Sequence, residues 1–305
     1  MTTPAIETFD LSKDFGSTHA LLGLNLRVGE GEVVGCLGPN GAGKTTLIRL
    51  LLGLIVSSSG HAEIFGMDAR RQTVAAHRRL AYVPGEANLW ATLSVAETLR
   101  LLGRVHGTVD QTYQLELIER FGLDVTKKVR TLSKGNRQKL ILVAALMTRA
   151  DLLILDEPTS GLDPLMEQAF RLCVHEAKER GQSVLLSSHI LSEVEALCDR
   201  IGILRAGELV EMGTMAEMRH FSALTVEATF ERIAPDVTQL AGVSMVEVQG
   251  SRLRCQVRGP IEPLLQVFSQ AGVIELLSRE PSLEELFLSH YRTATVEDAS
   301  ARPSK

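Results

Sequence analysis

Short apolar runs alternate with longer segments of helical period along most of the chain. Glu32–Leu37 reads as an apolar strand, a Gly-rich turn follows it, and Lys44–Leu54 then takes up the periodicity of a helix. The same order returns further on, where the hydrophobic runs Leu152–Leu155 and Ser183–Ser187 accompany the helical patterns Leu165–Arg180 and Ile190–Leu197. Short strands that alternate with helices predict an α/β fold, a mostly parallel sheet joined by crossover helices.

Between roughly Pro84 and Ala150 the pattern changes. Val95–Val105, Gln111–Phe121 and Lys134–Met147 are all helical in period with no convincing strand among them, which predicts a helical insert in the α/β body. A third region begins near Phe221. It reads strand (Leu224–Thr229), helix (Pro235–Ala241), two strands (Ser244–Val248 and Arg252–Val257), helix (Ile261–Ala271), strand (Val273–Leu277) and closing helix (Leu283–Tyr291). The order βαββαβ is that of a small α+β, ferredoxin-like unit. From Thr293 the chain turns polar and ends Ala-Arg-Pro-Ser-Lys, the composition of a frayed tail. The expected domains are therefore 1–220, with a helical subdomain at about 84–150, and 221–292, followed by a flexible tail at 293–305.

Composition narrows the class. The 305 residues give room for one large or two modest domains at about 150 residues each. With 45% hydrophobic and 23% charged residues the chain is globular rather than disordered. The longest clean apolar stretch, Leu140–Met147, is far below the roughly 18 to 20 residues that cross a bilayer, so no membrane span is expected. The start Met-Thr-Thr-Pro-Ala-Ile-Glu lacks the basic and apolar segments of a secretory signal, and a cytoplasmic location is expected. Cys36, Cys173, Cys198 and Cys255 form no Cys-x-x-Cys pair and lie near no His cluster, which argues against zinc and disulfides and for small buried fillers. A net charge of -5 lacks the basic excess of a nucleic-acid binder, and no nucleic-acid partner is expected.

Chemistry enters with Gly38-Pro39-Asn40-Gly41-Ala42-Gly43-Lys44-Thr45, which satisfies G-x-x-x-x-G-K-[ST] between a predicted strand and a predicted helix. Glycines let successive backbone N–H groups converge on phosphate oxygens, and the helix N-terminus, through Thr46, adds the positive end of its dipole. Lys44 is suited to hold β and γ phosphates, and Thr45 to ligate Mg²⁺. A Gly-rich turn that merely caps a helix is the alternative; the Lys-Thr pair in a strand-helix context weighs against it. A P-loop alone leaves kinases, GTPases and ATPases open. The apolar run Leu152–Leu155 ends in Asp156 and Glu157, which places one carboxylate at the C-terminal edge of the sheet to hold Mg²⁺ and a second beside it to act as general base. The competing reading is a solvated acidic turn before Pro158.

Taken in order, the P-loop, Leu132-Ser133-Lys134-Gly135-Asn136, the strand ending in Asp156-Glu157, Ser160-Gly161-Leu162-Asp163 and Ser187-Ser188-His189 resemble the nucleotide-binding domains of ABC ATPases over about residues 4–215. Alone, Ser133 and Gly135 read as a helix cap and His189 as a helix-start residue. The combination carries the specificity. The resemblance implies a P-loop NTPase fold of the ABC type with a helical subdomain, ATP and Mg²⁺ as ligands, and a head-to-tail homodimer. It further implies that Ser133 and Gly135 form the signature that reaches the γ-phosphate bound by the opposite subunit. Asp163 falls in the loop linking the two sites, and His189 in the switch that contacts the γ-phosphate. Phe15, in Lys13-Asp14-Phe15-Gly16, matches the aromatic residue that stacks on adenine; a core Phe at a strand end is the alternative.

Two positions depart from the family pattern. The signature reads Leu-Ser-Lys-Gly-Asn rather than Leu-Ser-Gly-Gly-Gln, with Ser133 and Gly135 retained. Tyr82-Val83-Pro84-Gly85-Glu86 stands where the family has Tyr-x-Pro-Gln, so the glutamine that the resemblance assigns to Mg²⁺ contact and relay to the membrane partner is absent; Glu86, one position off in register, is a candidate substitute, and what replaces the glutamine is left open. The ending Pro281-Ser-Leu-Glu-Glu-Leu-Phe287-Leu is similar to that of ATPase subunits of bacterial ABC type-2 exporters of antibiotics and drugs. Such subunits carry a C-terminal domain that helps dimerise or regulate, although Leu283, Leu286 and Phe287 also suit a plain amphipathic helix. The implied activity is ATP hydrolysis at the cytoplasmic face of the membrane, coupled through a separate membrane-spanning permease to export of a drug, antibiotic or lipid-like molecule. The rival is a soluble ABC ATPase acting on the ribosome or DNA. One P-loop, a short span between Lys44 and Ser133 and the lack of zinc motifs weigh against it, and no Asn-Lys-x-Asp segment supports a GTPase.

Overall fold

The structure, a computed structural model, describes residues 3–107, 109–220 and 224–279. The chain divides into two compact units, Met1–Met212 and Gly213–Lys305.

In the first unit five strands run parallel in the order Arg200–Arg205, Val33–Leu37, Ser183–Ser188, Leu152–Asp156 and Leu80–Val83, with Glu208–Thr214 on the edge beyond Arg200–Arg205. Their residues alternate between two cores. Leu152 and Ile154 join Val34, Cys36 and Leu185 against Leu47, Ile48 and Leu51 of the helix Lys44–Leu51. Leu153 and Leu155 join Val33, Val184 and Leu186 on the opposite face, against Phe121, Leu140 and Phe170. A strand covered on both faces reads in sequence as an unbroken apolar run, which is why Val33–Leu37, Leu152–Asp156 and Ser183–Ser188 were legible while Leu80–Val83 and Arg200–Arg205 were not read as strands. Each fully buried side chain contributes about 1.5–3 kcal/mol.

A second, antiparallel sheet covers the P-loop side of the first core. Its order is Thr18–Leu24, Ile6–Phe15, Ser59–Ile64 and Met67–Asp68, with Arg27–Val28 also paired to Ile6–Phe15. Periodicity gave no sign of it. The strand Ile6–Phe15 has register shifts against both neighbours and a left-handed Asp10 (φ 45), so its polar and apolar positions lose strict alternation.

On the other face of the parallel sheet lie the expected helices, Val95–His106, Gln111–Arg120 and Lys134–Leu146. Their starts are written in polar side chains. Ser94 and Glu97 form a reciprocal capping box, while Asp110 and Ser133 each accept a backbone N–H from the first turn. An ion pair ties this layer to the helix Pro164–Glu179: the Arg120 guanidinium donates to the Glu176 carboxylate at 2.9 Å, with the Tyr113 hydroxyl 3.4 Å from the same group. Among the described residues no helix is long and apolar enough to cross a membrane.

The second unit holds an antiparallel sheet in the order Val243–Gln249, Arg252–Val257, Leu224–Phe230, Val273–Arg279. The helix Glu262–Gln270 packs Leu264 and Phe268 onto Val226, Phe230 and Cys255, and the Phe230 and Phe268 rings meet edge to face at 5.1 Å. The helix expected at Pro235–Ala241 does not form. Asp236 accepts both the backbone N–H and the hydroxyl of Thr238, a local turn that competes with the helix, and a left-handed Gly242 (φ 82) follows. The expected closing helix Leu283–Tyr291 and the tail lie outside the described residues. All four cysteines are free; Cys36, Cys173 and Cys255 are buried and Cys198 is partly so. Burial raises each thiol, that of Cys36 to about 12.

The Arg120–Glu176 pair generates a stability prediction. Hydrogen bonding from Arg120 holds the Glu176 carboxyl below its ordinary 4.5. The stabilisation is therefore complete above that ordinary value and is lost as pH falls through the depressed one. Glu176→Gln should lower stability by about 1 kcal/mol at neutral pH, and the gap to the unmodified chain should close in acid; urea unfolding across pH measures both.

Candidate active site

The P-loop begins where the fully buried strand Val33–Leu37 ends. Gly38 lies at the turn, its N–H donating to the Ser188 carbonyl at 3.4 Å, and Pro39, Asn40, Gly41 and Ala42 follow. Gly43 then takes a left-handed conformation (φ 111) and opens the helix Lys44–Leu51 without any side-chain cap. A Cβ at Gly43 would lie 2.8 Å from both the Ala20 carbonyl oxygen and Leu21 Cδ2, so only glycine fits. An uncapped helix start beside a Gly-rich loop leaves backbone N–H groups, those of Lys44 to Thr46 among them, for an anion, and this geometry fits a nucleotide phosphate. Lys44 is buried, with Nζ donating to the carbonyls of Gly38 (2.5 Å) and Pro39 (3.1 Å) and standing 3.8 Å from Glu157 Oε1. Burial pulls its ammonium below the ordinary range, against the opposing charges of Glu157 and Asp156.

Asp156 ends the neighbouring strand and is 5% exposed. It is held from two sides: Ser187 Oγ donates to Oδ1 at 2.5 Å and Thr45 Oγ1 to Oδ2 at 3.3 Å. Glu157 follows with a left-handed backbone (φ 46), a conformation that costs a non-glycine residue on the order of 1 kcal/mol and is found at functional sites. Its N–H donates to the Ser187 carbonyl at 3.0 Å, and its Oε1 lies 3.1 Å from His189 Nδ1. Lys44, Thr45, Asp156, Glu157 and His189 thus form one constellation at the C-terminal edge of the sheet. The acidic turn is not simply solvated.

The signature segment lies beside it. Ser133 accepts the Asn136 N–H at 3.2 Å and caps the helix Lys134–Leu146. Gly135 packs so closely on the loop after Glu157 that a Cβ there would sit 2.5 Å from the Gly161 carbonyl oxygen. Asp163 caps the helix Pro164–Glu179 through the Met166 N–H (3.1 Å) and stands 3.9 Å from Lys139 Nζ. A cleft of about 500 Å³ is lined by Asn40, Thr45, Glu86, Lys134, Asp156 and Glu157, among others. Gly85 lines it too, and a side chain there would begin 3.3 Å from the Asp156 carbonyl oxygen. Phe15 is not among the lining residues. It is half-exposed rather than core, with Lys13 Nζ 4.9 Å from its ring centroid.

Ser187 was quoted in the sequence only as part of a motif, yet it holds the Asp156 carboxylate and the Glu157 backbone N–H. The signal was its place at the end of an apolar run, since the parallel register sets it opposite Asp156.

A family profile described as an ABC transporter matches residues 21–160. Over 302 residues the chain is 32% identical to the linearmycin resistance ATP-binding protein LnrL of Bacillus subtilis (strain 168), covering 93% of this chain and 97% of that protein. The chain belongs to the ABC transporter family. This ABC ATPase is also 41% identical to the bacitracin transport ATP-binding protein BcrA of Bacillus licheniformis, over 68% of each chain. A solved structure of an ATP-binding subunit of an ABC transporter superposes on it with a TM-score of 0.66 at 32% identity, covering 70% of this chain and 92% of that one. The ABC ATPase fold is thereby established, ATP is its nucleotide, and the reading as a ribosome- or DNA-acting protein is set aside.

Because Ser187 holds the Asp156 carboxylate and the Glu157 backbone at once, Ser187→Ala should leave the ABC ATPase folded but loosen both residues. The expected result is ATP hydrolysis reduced about tenfold or more, with circular dichroism and unfolding midpoint near those of the parent chain.

Proposed function

We propose that this ABC ATPase works at the cytoplasmic face of the membrane, where it couples Mg-ATP hydrolysis to export of an antibiotic, drug or lipid-like molecule through a separate membrane-spanning permease. The observation that carries the catalytic part is the contact of Glu157 with Lys44 on one side, at 3.8 Å, and with His189 on the other, at 3.1 Å. The export part rests on relatives named for bacitracin transport and linearmycin resistance.

In this reading Gly38–Thr46 cradle the phosphates with backbone N–H groups, and Lys44 leaves its loop carbonyls for the β and γ phosphates. Thr45 and Asp156 would hold Mg²⁺ through hard oxygen donors, and the ion when bound would supply positive charge to offset that of the phosphates. Among the described residues no three His, Cys, Asp or Glu side chains lie close enough to hold an ion by themselves, which fits a cation shared with the nucleotide. Glu157 accepts the proton of the attacking water, and His189 orients Glu157 and faces the γ-phosphate. Ser133 and Gly135, at the start of the helix Lys134–Leu146, serve the nucleotide of a second copy in a head-to-tail homodimer, and Asp163 links the two sites. Phe15, exposed and aromatic, stacks on adenine.

The remaining assignments follow. Residues 1–220 are the ATPase domain, 221–292 a ferredoxin-like dimerisation or regulatory domain, and 293–305 a tail. The strand order of the second unit supports the ferredoxin-like reading, with turns in place of the first helix. The permease docks in a groove of about 630 Å³ lined by Leu54, Val74, Leu102, Val105 and Ile141. Leu54, Val74 and Val105 are 63%, 73% and 79% exposed, and apolar side chains exposed together are the mark of an interaction surface.

Glu157→Gln keeps the side chain's size and removes its basicity, so ATP should bind but scarcely turn over, and the trapped state should be a dimer with two nucleotides. Sizing with and without Mg-ATP, beside a phosphate-release assay, measures both; wild-type hydrolysis by the variant overturns the base assignment. Val105→Asp should abolish co-purification with the permease while ATP affinity stays within about twofold, because a buried unpaired carboxylate is unfavourable in an interface.

A further inference from the structure

Two positions where the sequence departs from the family pattern, Lys134 and Glu86, take no part in the chemistry proposed above, and the structure brings both to one place. Each lines the cleft of about 500 Å³ whose walls also carry Thr45, Asp156, Glu157 and Ser160. Lys134 is the first residue of the helix Lys134–Leu146 and is exposed. Its stem runs over the loop that follows Glu157: a Cβ at Gly161 would lie 3.7 Å from Cγ and Cδ of Lys134 and 3.8 Å from Cε. Beyond the stem, Nζ donates to Ser160 Oγ at 3.4 Å, and the Ser160 N–H donates to the Glu157 carbonyl at 3.1 Å. The side chain therefore crosses a loop of its own chain and delivers its ammonium to its own cleft, although it starts between Ser133 and Gly135.

Charge gives that placement a meaning. Glu86, Asp156 and Glu157 line the cleft with three carboxylates, and a nucleoside triphosphate adds further negative charge. Lys44 stands on the P-loop side of the site. Among the described residues lining the cleft, the cations are Arg49 and Lys134. Arg49 belongs to the last turn of the helix Lys44–Leu51, away from the N-terminus that faces the phosphates, whereas Lys134 stands beside the loop of the general base. A neutral hydroxyl at 3.4 Å is a weak partner for an ammonium, and a phosphate oxygen bearing negative charge is a strong one. A lysine also suits the task, being a compact cation on a flexible stem.

We infer that Lys134 is a further nucleotide-binding residue acting within its own chain: when ATP occupies the cleft, the ammonium leaves Ser160 for the γ-phosphate oxygens, so that the site distinguishes ATP from ADP before a second copy is engaged. The inference rests on the reading that this cleft holds the phosphates of Mg-ATP, and it adds to that reading the group that recognises the terminal one.

The test titrates the full chain with ADP and with a non-hydrolysable ATP analogue, each with Mg²⁺, at a protein concentration where sizing shows a single copy. Lys134→Gln should weaken the analogue about tenfold and leave ADP within about twofold, because ADP has no γ-phosphate to lose a contact. Lys134→Arg, which keeps the charge, should hold the analogue within about threefold of the parent chain. Unchanged analogue affinity in Lys134→Gln, equal losses for ADP and the analogue, or equal losses in the Gln and Arg variants each overturn the proposal. A loss that appears only at concentrations where two copies associate overturns it as well, since it would assign Lys134 to the nucleotide of the opposite copy. Lys44→Ala separates this result from failure of the underlying reading. Full affinity for both nucleotides in Lys44→Ala removes the phosphate cleft itself, whereas loss in Lys44→Ala beside a neutral Lys134→Gln removes the role of Lys134 alone.

Discussion

A carboxylate buried at the end of a buried strand is the constraint on which the rest of the site depends. Asp156 is almost inaccessible, and an unpaired buried charge costs several kcal/mol, so its oxygens must find donors. They find Ser187 on the adjacent strand and Thr45 in the first turn of the P-loop helix. The strand Ser183–Ser188 pairs with both Val33–Leu37 and Leu152–Asp156, so Ser187 stands between the phosphate loop and the acids. Three elements that are distant in sequence are fixed to one another by two hydroxyls. Glu157 inherits its position, since its backbone N–H is tied to the same serine.

Much of this was legible because the chemistry lies where apolar runs stop. Strands buried on both faces announce themselves without alternation, and the residues just past their ends, Gly38–Thr45 and Asp156–Glu157, could be placed at one sheet edge from pattern alone. The helical layer was equally plain, with Ser94, Asp110 and Ser133 marking its starts. The antiparallel sheet was not, because bulges break the alternation of Ile6–Phe15. The turn at Pro235–Ala241 was read as a helix because periodicity does not register the side-chain bonds of Asp236 to Thr238.

Several residues here do two jobs. Ser133 caps a helix, so its alternative reading as a simple cap is correct as far as it goes, and Asp163 caps another helix. The cap geometry is what turns a helix start outward, with its dipole and remaining N–H groups free for a phosphate. Likewise, the close approach of Gly135 to Gly161 ties the helix Lys134–Leu146 to the loop that follows Glu157 within one chain.

The four cysteines carry a consequence of another kind. All are at least partly buried, and desolvation holds each thiol well above neutrality, so almost no thiolate is present at physiological pH. A maleimide or spin-label reagent therefore has little native target. Cysteines introduced singly at exposed sites of the unmodified chain become the preferred reactive labels, and spectroscopic distances can be recorded without first stripping the protein of its own thiols.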